Sequence, residues 1–310
     1  MMTRSRYRQL AIVTTVGICV LVVAGGVVRL TGSGLGCDDW PNCNDERFID
    51  VSSGHTAIEQ LNRLLSGLIG VPTVLLVVCG FRAAPRGAGL RWPAVGVLVS
   101  VLANGVVGGL AVRGDLHPAL VQSHFLLAMV SIAFGLIAVR AGSERPIVWR
   151  SVGEAGVVQR LSLALAALTG AALVTGTIVT GAGPHAGEED VRRYGFDIGT
   201  VARVHSVTVL VTIACAIALA WVCVSKAPTL RPALSTWLFV AIVQGGVGYA
   251  QYLTGVPELL VGVHLAGATA LWVATVRLAL SALDCAPGAA EYSADRVRSQ
   301  GINRSGVTRV

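Results

Sequence analysis

The sequence is short of charged residues. Asp, Glu, Lys and Arg make up 13% of its 310 residues, while 54% are hydrophobic, and soluble domains carry about 25% charged residues. This shortage excludes an ordinary soluble domain. Stretches free of these four residue types each reach the ~18–20 residues that a membrane-spanning helix requires; they are 9–28, 64–81, 92–112, 116–139, 161–187, 204–225, 232–257 and 259–276. The sequence therefore predicts an all-α membrane protein with eight transmembrane helices.

The sequence also lacks a concentrated basic patch. Its net charge is +7, but the basic residues are divided among short segments between the apolar stretches, so nucleic-acid binding is not expected. With the N-terminus in the cytoplasm, most Lys and Arg residues fall on the cytoplasmic side and most acidic residues on the other, as the positive-inside rule requires. We expect a multi-pass protein of the plasma membrane, in contact with lipid, with both termini cytoplasmic.

Cysteine pairs typical of metal sites are absent as well. Cys37 and Cys43 share the first outer loop, where oxidising conditions favour a disulfide. Two free thiols or a metal site are the alternatives, and a metal site is the weaker one because Cys-x5-Cys has no second pair of ligands nearby. The remaining cysteines lie in apolar stretches or in the C-terminal tail, where packing residues or reduced thiols are expected.

Glycine, in contrast, is abundant and marks an internal repeat. The first and fifth apolar stretches end in Thr31-Gly32-Ser33-Gly34 and Thr180-Gly181-Ala182-Gly183, and the third and seventh share glycine-rich segments. Both halves begin on the same side of the membrane, which indicates a parallel repeat about an axis along the membrane normal. We expect two pseudo-symmetric four-helix bundles with a polar linker and a disordered tail; the boundaries are 1–140, 141–160 (linker), 161–283 and 284–310 (tail).

Three histidines lie at a similar depth in the predicted bundles. His124, His205 and His264 are near the outer ends of the fourth, sixth and eighth helices, one to two turns inside at ~1.5 Å per residue. Ionisable groups within spanning helices are costly and usually functional. His205 and His264, on paired helices, favour bis-histidine ligation of a haem. A histidine hydrogen-bonded to a neighbouring carbonyl is the structural alternative for each one alone.

The first half departs from this pattern. When the second helix is aligned with the sixth, Asn62 occupies the position that corresponds to His205. Asn is a poor ligand for haem iron. A haem held by His124 alone would keep one face of its iron open, which suits a changing substrate or oxygen better than electron storage. Glu59, one turn outward of Asn62, is a candidate proton donor or electrostatic stabiliser; compensation of the helix dipole is its structural alternative.

Other polar residues near the predicted outer surface are weaker candidates for a functional role. Arg29, Arg63 and Arg203 are candidates for pairing with haem propionates, although interfacial snorkelling would explain them equally well. His55 and His117 fall in outer loops, where we expect them to be exposed.

Several of these segments resemble the haem A synthase family of membrane enzymes. The similarity lies in 29–43, 116–124 and 180–185 and in His205 and His264, and it spans about residues 10–280. The first-loop segment is specific to this family, whereas single histidines in helices are not. The family's helix-two pattern, Glu-x-x-His-Arg, reads Glu59-Gln60-Leu61-Asn62-Arg63 here, so the carboxylate is kept and the histidine is replaced. A second outer-loop cysteine pair, present in some relatives, is absent.

The resemblance implies an activity and its site residues. A b-type haem on His205 and His264 would relay electrons, and haem O, the substrate, would be oxidised at a ring methyl to the formyl group of haem A. The implied catalytic residues are Glu59, His124 and Asn62, and His124 is the implied iron ligand on the substrate side. Haem O synthase and cytochrome oxidase subunits are the implied partners.

Two other functions compete with this interpretation. A haem carrier or electron-transfer protein would bind haem without changing it and would not need Glu59. A solute transporter would fit the internal repeat, but it would not explain three histidines at one depth.

Overall fold

The computed structural model describes residues 3–82, 88–143, 156–185, 187–188 and 190–283. In these residues, eight α-helices are long and apolar enough to cross a membrane, and no strand occurs. They are α1 (Arg4–Leu30), α2 (Gly54–Arg82), α3 (Ala88–Arg113), α4 (Pro118–Ala141), α5 (Val157–Ala182), α6 (Ile198–Lys226), α7 (Arg231–Leu253) and α8 (Glu258–Ala282). The predicted all-α, eight-helix fold is confirmed.

The helices begin and end close to the limits of the apolar stretches. Most extend a few residues further, because charged residues such as Arg82 and Arg113 continue the last turn. Pro118 begins α4, where a missing N–H costs nothing, and Asp197 caps α6 by accepting a hydrogen bond from the Thr200 N–H at 2.7 Å. The centre of the predicted linker and the tail 284–310 lie outside the described residues.

Neighbouring helices form antiparallel pairs. α1 packs on α2, α3 on α4, α5 on α6 and α7 on α8, while contacts of α1 with α4 and of α5 with α8 complete the packing in each half. The connections 31–53, 114–117, 183–197 and 254–257 all lie at one end of the helices, which we call the loop face. The boundaries of the two bundles stay predictions, because helices of the two halves also touch.

Contacts between the halves run through α1 and α4 of the first half and α5 and α8 of the second. The indole N–H of Trp272 donates to the Met129 carbonyl at 2.8 Å, which joins α8 to α4. The Gln122 amide of α4 donates to the Thr177 hydroxyl of α5 at 2.9 Å and accepts from the Tyr194 hydroxyl at 2.7 Å. These bonds fix the two halves against each other, at mid-helix through Trp272 and near the loop face through Gln122.

The buried cores lie away from the loop face. One core surrounds Tyr7, Leu76 and Ile132 in the first half, and the other surrounds Leu219 and Trp237 in the second half. Toward the loop face, the helices pass through a zone with no buried residue; it comprises 19–25, 61–68, 101–108 and 119–127 in the first half and 174–182, 198–211, 238–253 and 258–268 in the second. We call this zone the open layer.

The open layer has a direct consequence for ligand binding. Protein interiors are normally close-packed, so a layer whose described helices contain no buried residue fits a bundle that holds a ligand at this depth. In the first half, the layer is covered toward the loop face by buried residues of the first loop and of α2, such as Cys37, Cys43 and Glu59. In the second half, the described helices have no such cover, and the layer extends to the helix ends.

Candidate functional site

His205 and His264 both lie in the open layer of the second half. The His205 Nδ1 is 3.0 Å from the Thr175 hydroxyl of α5, which orients the ring and leaves its Nε2 unengaged. His205 and His264 both lie about two turns from the loop-face ends of their helices, α6 and α8. Buried His264 Nδ1 has no hydrogen-bond partner among the described residues. The pair is therefore placed for one shared ligand.

Each histidine of the layer lies against a glycine of its antiparallel neighbour. A Cβ added to Gly176 would sit 3.1 Å from the His205 ring, and one added to Gly248 would sit 3.0 Å from the His264 ring. The same arrangement occurs in the first half, where Gly108 faces His124 at 2.8 Å. A side chain at any of these glycines would displace the imidazole. The glycine-rich repeat contained this signal, but sequence reasoning did not pair glycines with histidines.

These features fit a haem held by two imidazoles. His205 and His264 lie at one depth of the open layer, both rings are seated on glycine, and the buried Nδ1 of His264 has no hydrogen-bond partner among the described residues. Facing helices of a bundle commonly hold a haem in this way. The residues present would supply both iron ligands and apolar surroundings.

The first half offers one imidazole and two amides. The His124 Nδ1 is 3.0 Å from the Asn104 carbonyl, so the other ring nitrogen is available. The side-chain oxygens of Asn62 and Asn104 are buried and have no partner within the described residues. His55 does not replace the missing histidine, because it is exposed and bonded to the Ser33 hydroxyl at 3.0 Å. The site can hold a haem iron from one side and present amide groups elsewhere.

His117 differs from its expected exposure. It is half-buried, and its side chain accepts a hydrogen bond from the Ala119 N–H at 3.3 Å, which caps the start of α4. Its position is explained by this capping, since the proline beside it begins the helix.

Glu59 lies between the open layer and the first loop. Its side chain is nearly completely buried. One carboxylate oxygen accepts from the Arg63 Nη2 at 2.6 Å and Nε at 3.1 Å, and the other accepts from the Cys37 N–H at 2.7 Å. Arg63 also donates to the carbonyls of Asp39 and Asn42, at 2.8 and 3.0 Å. Glu59 and Arg63 thus hold the first loop, and four of the five N–H donors of Arg63 are occupied.

A disulfide closes the segment of loop that Arg63 and Glu59 hold. Cys37 and Cys43 are bonded, and both are buried. Trp40, within this ring, lies over Gly109 of α3, where a Cβ would sit 2.5 Å from the indole. The 37–43 ring therefore bridges α2 and α3 and covers the open layer of the first half.

An exposed ion pair anchors the same ring to α3. The Asp39 carboxylate accepts from Arg113 at 3.1 Å. The Trp40 backbone N–H and, second, the Arg113 side chain lower the pKa of Asp39. Asp39 therefore stays ionised at pH values at which an ordinary aspartate becomes protonated. Its ion pair with Arg113 is kept at those pH values.

The other two candidate arginines occupy different environments. Arg203 is exposed and bonds within its own helix, to the Gly199 carbonyl and the Thr200 hydroxyl. Arg29, at the end of α1, donates from Nη2 to the Thr180 carbonyl of α5 at 3.1 Å, and its buried Nε has no partner among the described residues. Of the three, Arg29 keeps a buried donor available for a ligand.

The fold and the site together define a class: a polytopic membrane protein with intramembrane histidines arranged to fit haem. Residues 8–276 match the family described as cytochrome oxidase assembly protein, and the chain belongs to this family. The match covers both halves, including every histidine of the open layer.

The curated relatives that match this chain are named heme A synthase. Heme A synthase of Bacillus mycoides (strain KBAB4) is 32% identical over 127 residues, and the corresponding proteins of Bacillus cereus (strain AH187) and Bacillus anthracis (strain CDC 684 / NRRL 3495) are 31% identical over the same length. Each alignment spans 41% of this chain and 41% of the relative. The predicted resemblance to haem A synthases is confirmed.

Proposed function

We propose that this protein is a haem A synthase, which oxidises a ring methyl of haem O to the formyl group of haem A for terminal oxidases. The observation that carries the proposal is the difference between the halves. The second half has two imidazoles at one depth of its open layer, while the first half combines one imidazole with a buried carboxylate under a closed loop. The relatives named heme A synthase support the same conclusion.

The second half would hold a b-type haem through His205 and His264. A bis-histidine haem exchanges single electrons and has no open coordination position. Thr175 fixes the His205 ring, and Gly176 and Gly248 keep both imidazoles close to their helices. The role of these residues is to hold an electron relay at the depth of the substrate site.

The first half would bind haem O as the substrate. His124 would hold the iron from α4, and the Asn104 carbonyl orients its ring. Asn62, whose buried side-chain oxygen has no partner among the described residues, would offer an amide that can hydrogen-bond a small ligand but ligates iron poorly. The 37–43 ring would exclude water from this half.

Glu59 would act as the carboxylate of the reaction. The Arg63 side chain and the Cys37 N–H orient both of its oxygens. Held in this way in a buried position, the carboxylate can stabilise positive charge that develops on the substrate or accept a proton from it. The loop that covers the site is therefore also the element that positions its carboxylate.

The location and partners belong to the same proposal. We place the protein in the plasma membrane with both termini in the cytoplasm and the loop face outside, because most Lys and Arg residues lie at the opposite end of the helices. Haem O synthase would supply the substrate, and cytochrome oxidase subunits would receive the product.

Replacement of Glu59 tests the catalytic proposal. Glu59→Ala should reduce haem A formation at least tenfold, the usual range for loss of a general acid–base group being 10²–10⁴-fold, while the b-type haem is retained. The measurement is chromatography of extracted haems from cells that also make haem O. Glu46→Ala, at an exposed position of the same loop, is the matched control and should keep full product.

A haem carrier is the second candidate, and Asn62 is the observation that favours it. A carrier would release haem O unchanged, so the absence of an axial histidine would serve exchange rather than chemistry. In that case, wild type and Glu59→Ala would contain the same haems, and neither would contain haem A.

A further inference from the structure

Two arginines from different halves meet at the end of α5. Arg29, from α1, donates to the Thr180 carbonyl at 3.1 Å, and Arg193, from the second long loop, donates from Nη1 to the Gly183 carbonyl at 3.2 Å. Thr180 and Gly183 lie within one turn of each other at the end of α5, so the two guanidinium groups are brought to the same place. Arg193 drew no attention in the sequence, because its loop is mainly acidic.

Among the described residues, no carboxylate balances the charges at this point. No carboxylate lies within ion-pair distance of Arg29 or Arg193 in the part of the chain that the structure describes. A guanidinium has five N–H donors, and the buried Nε of Arg29 is unsatisfied within the described residues. The end of a helix compensates about half a unit of charge, which is less than the two positive charges gathered here. Partly buried charges of one sign require an anion.

The position of this pair relative to His205 indicates which anion. Gly176 lies against the His205 ring, and Thr180, whose carbonyl holds Arg29, is one helical turn further along α5. One turn is about 6 Å toward the loop face. A haem has an apolar ring and two carboxylates on one edge, so a haem in the open layer would direct that edge toward the arginines.

We propose that Arg29 and Arg193 form a carboxylate-binding subsite, shared by the two halves, for the propionates of the haem held by His205 and His264. This inference rests on the proposed haem of the second half. It assigns Arg193 a role in binding and makes α1 of the first half part of the haem site of the second.

The test compares Arg29→Gln and Arg193→Gln with Arg192→Gln. Arg192 is the exposed sequence neighbour of Arg193, so its variant removes the same charge from the same loop. The measurements are the midpoint potential of the b-type haem in the purified protein and the fraction of haem retained during washing in detergent. Both subsite variants should lower the potential, because loss of positive charge favours ferric haem, and should retain severalfold less haem; Arg192→Gln should match wild type. Arg29→Lys should recover part of the potential.

A second arm identifies the anion. Haem dimethyl ester lacks the propionate charges, so on reconstitution it should bind wild type and Arg29→Gln equally well, whereas unmodified haem should prefer wild type. If all three Gln variants had the midpoint potential and the haem retention of wild type, the subsite would be overturned. The haem A synthase proposal would remain intact. Loss of bound phospholipid from the variants with unchanged haem would also overturn it, in favour of a lipid phosphate. Wild-type protein purified without any haem would refute the underlying function as well.

Discussion

At the scale of single residues, the site depends on glycine as much as on histidine. His124, His205 and His264 were predictable because an ionisable side chain in an apolar stretch is conspicuous. The glycines that seat these rings were visible only as part of a repeat, since a glycine shows its function when the atoms opposite it are known. Arg193 was missed for a related reason, because only the packing of its loop brings it to Arg29.

The glycine seats lead to a prediction for Gly176. In Gly176→Ala, the new Cβ would sit 3.1 Å from the His205 ring and push the imidazole outward. We expect a weakened or lost b-type signal in the reduced-minus-oxidised spectrum. Gly170→Ala, on the same helix but with nothing within 4 Å of the added Cβ, is the control. A normal spectrum in both variants would show that the close contact between Gly176 and the His205 ring is not needed for haem binding.

Asn62 leads to a prediction about the substrate haem. If His124 is its only axial ligand, ferrous haem in the first half should bind carbon monoxide, and Asn62→His should suppress that binding by occupying the open position. Asn62→Ala should keep it. Difference spectra of haem-loaded protein measure the effect, and a wild type that binds no carbon monoxide would contradict single-histidine ligation.

At the scale of structural elements, the helices were the predictable part and the loops were not. Long apolar stretches fix the number and the approximate ends of the helices, because the bilayer allows few alternatives. The first loop has no such periodicity. Its docking on Glu59 and Arg63 depends on individual hydrogen bonds, which no sequence pattern encodes.

The disulfide ring should therefore affect catalysis as well as stability. Replacement of Cys37 and Cys43 by Ser removes a short cross-link, at a cost of roughly 2–3 kcal/mol by loop entropy, and frees the segment whose N–H orients Glu59. We expect haem A formation to fall, while the b-type spectrum of the second half stays normal. Thermal unfolding and haem extraction measure the two effects; unchanged product in the double variant would exclude a positioning role for the ring.

At the scale of the whole molecule, two halves with similar helix packing carry different polar residues in their open layers. The repeat, the helix order and the common depth of the histidines were all evident in the sequence. The joining of the halves was not, since it depends on contacts such as Trp272 to Met129 and Arg29 to Thr180. Through these contacts, the proposed electron relay and the proposed substrate site would be held at a fixed separation.

The proposed orientation is a property of the whole molecule and can be tested by labelling. In a Cys285→Ser background, Val51→Cys on the loop face should react with a membrane-impermeant thiol reagent in intact cells. Arg82→Cys, at the opposite end of α2, should react only after permeabilisation. The reverse pattern would place the loop face, and with it the disulfide, in the cytoplasm.

The most direct test of the central claim is the pigment content of the purified protein from cells that also make haem O. We expect haem A in the extract of wild type, together with a b-type spectrum that disappears in His264→Ala. A b-type spectrum accompanied only by unmodified haem would contradict the synthase proposal and leave a haem-binding carrier.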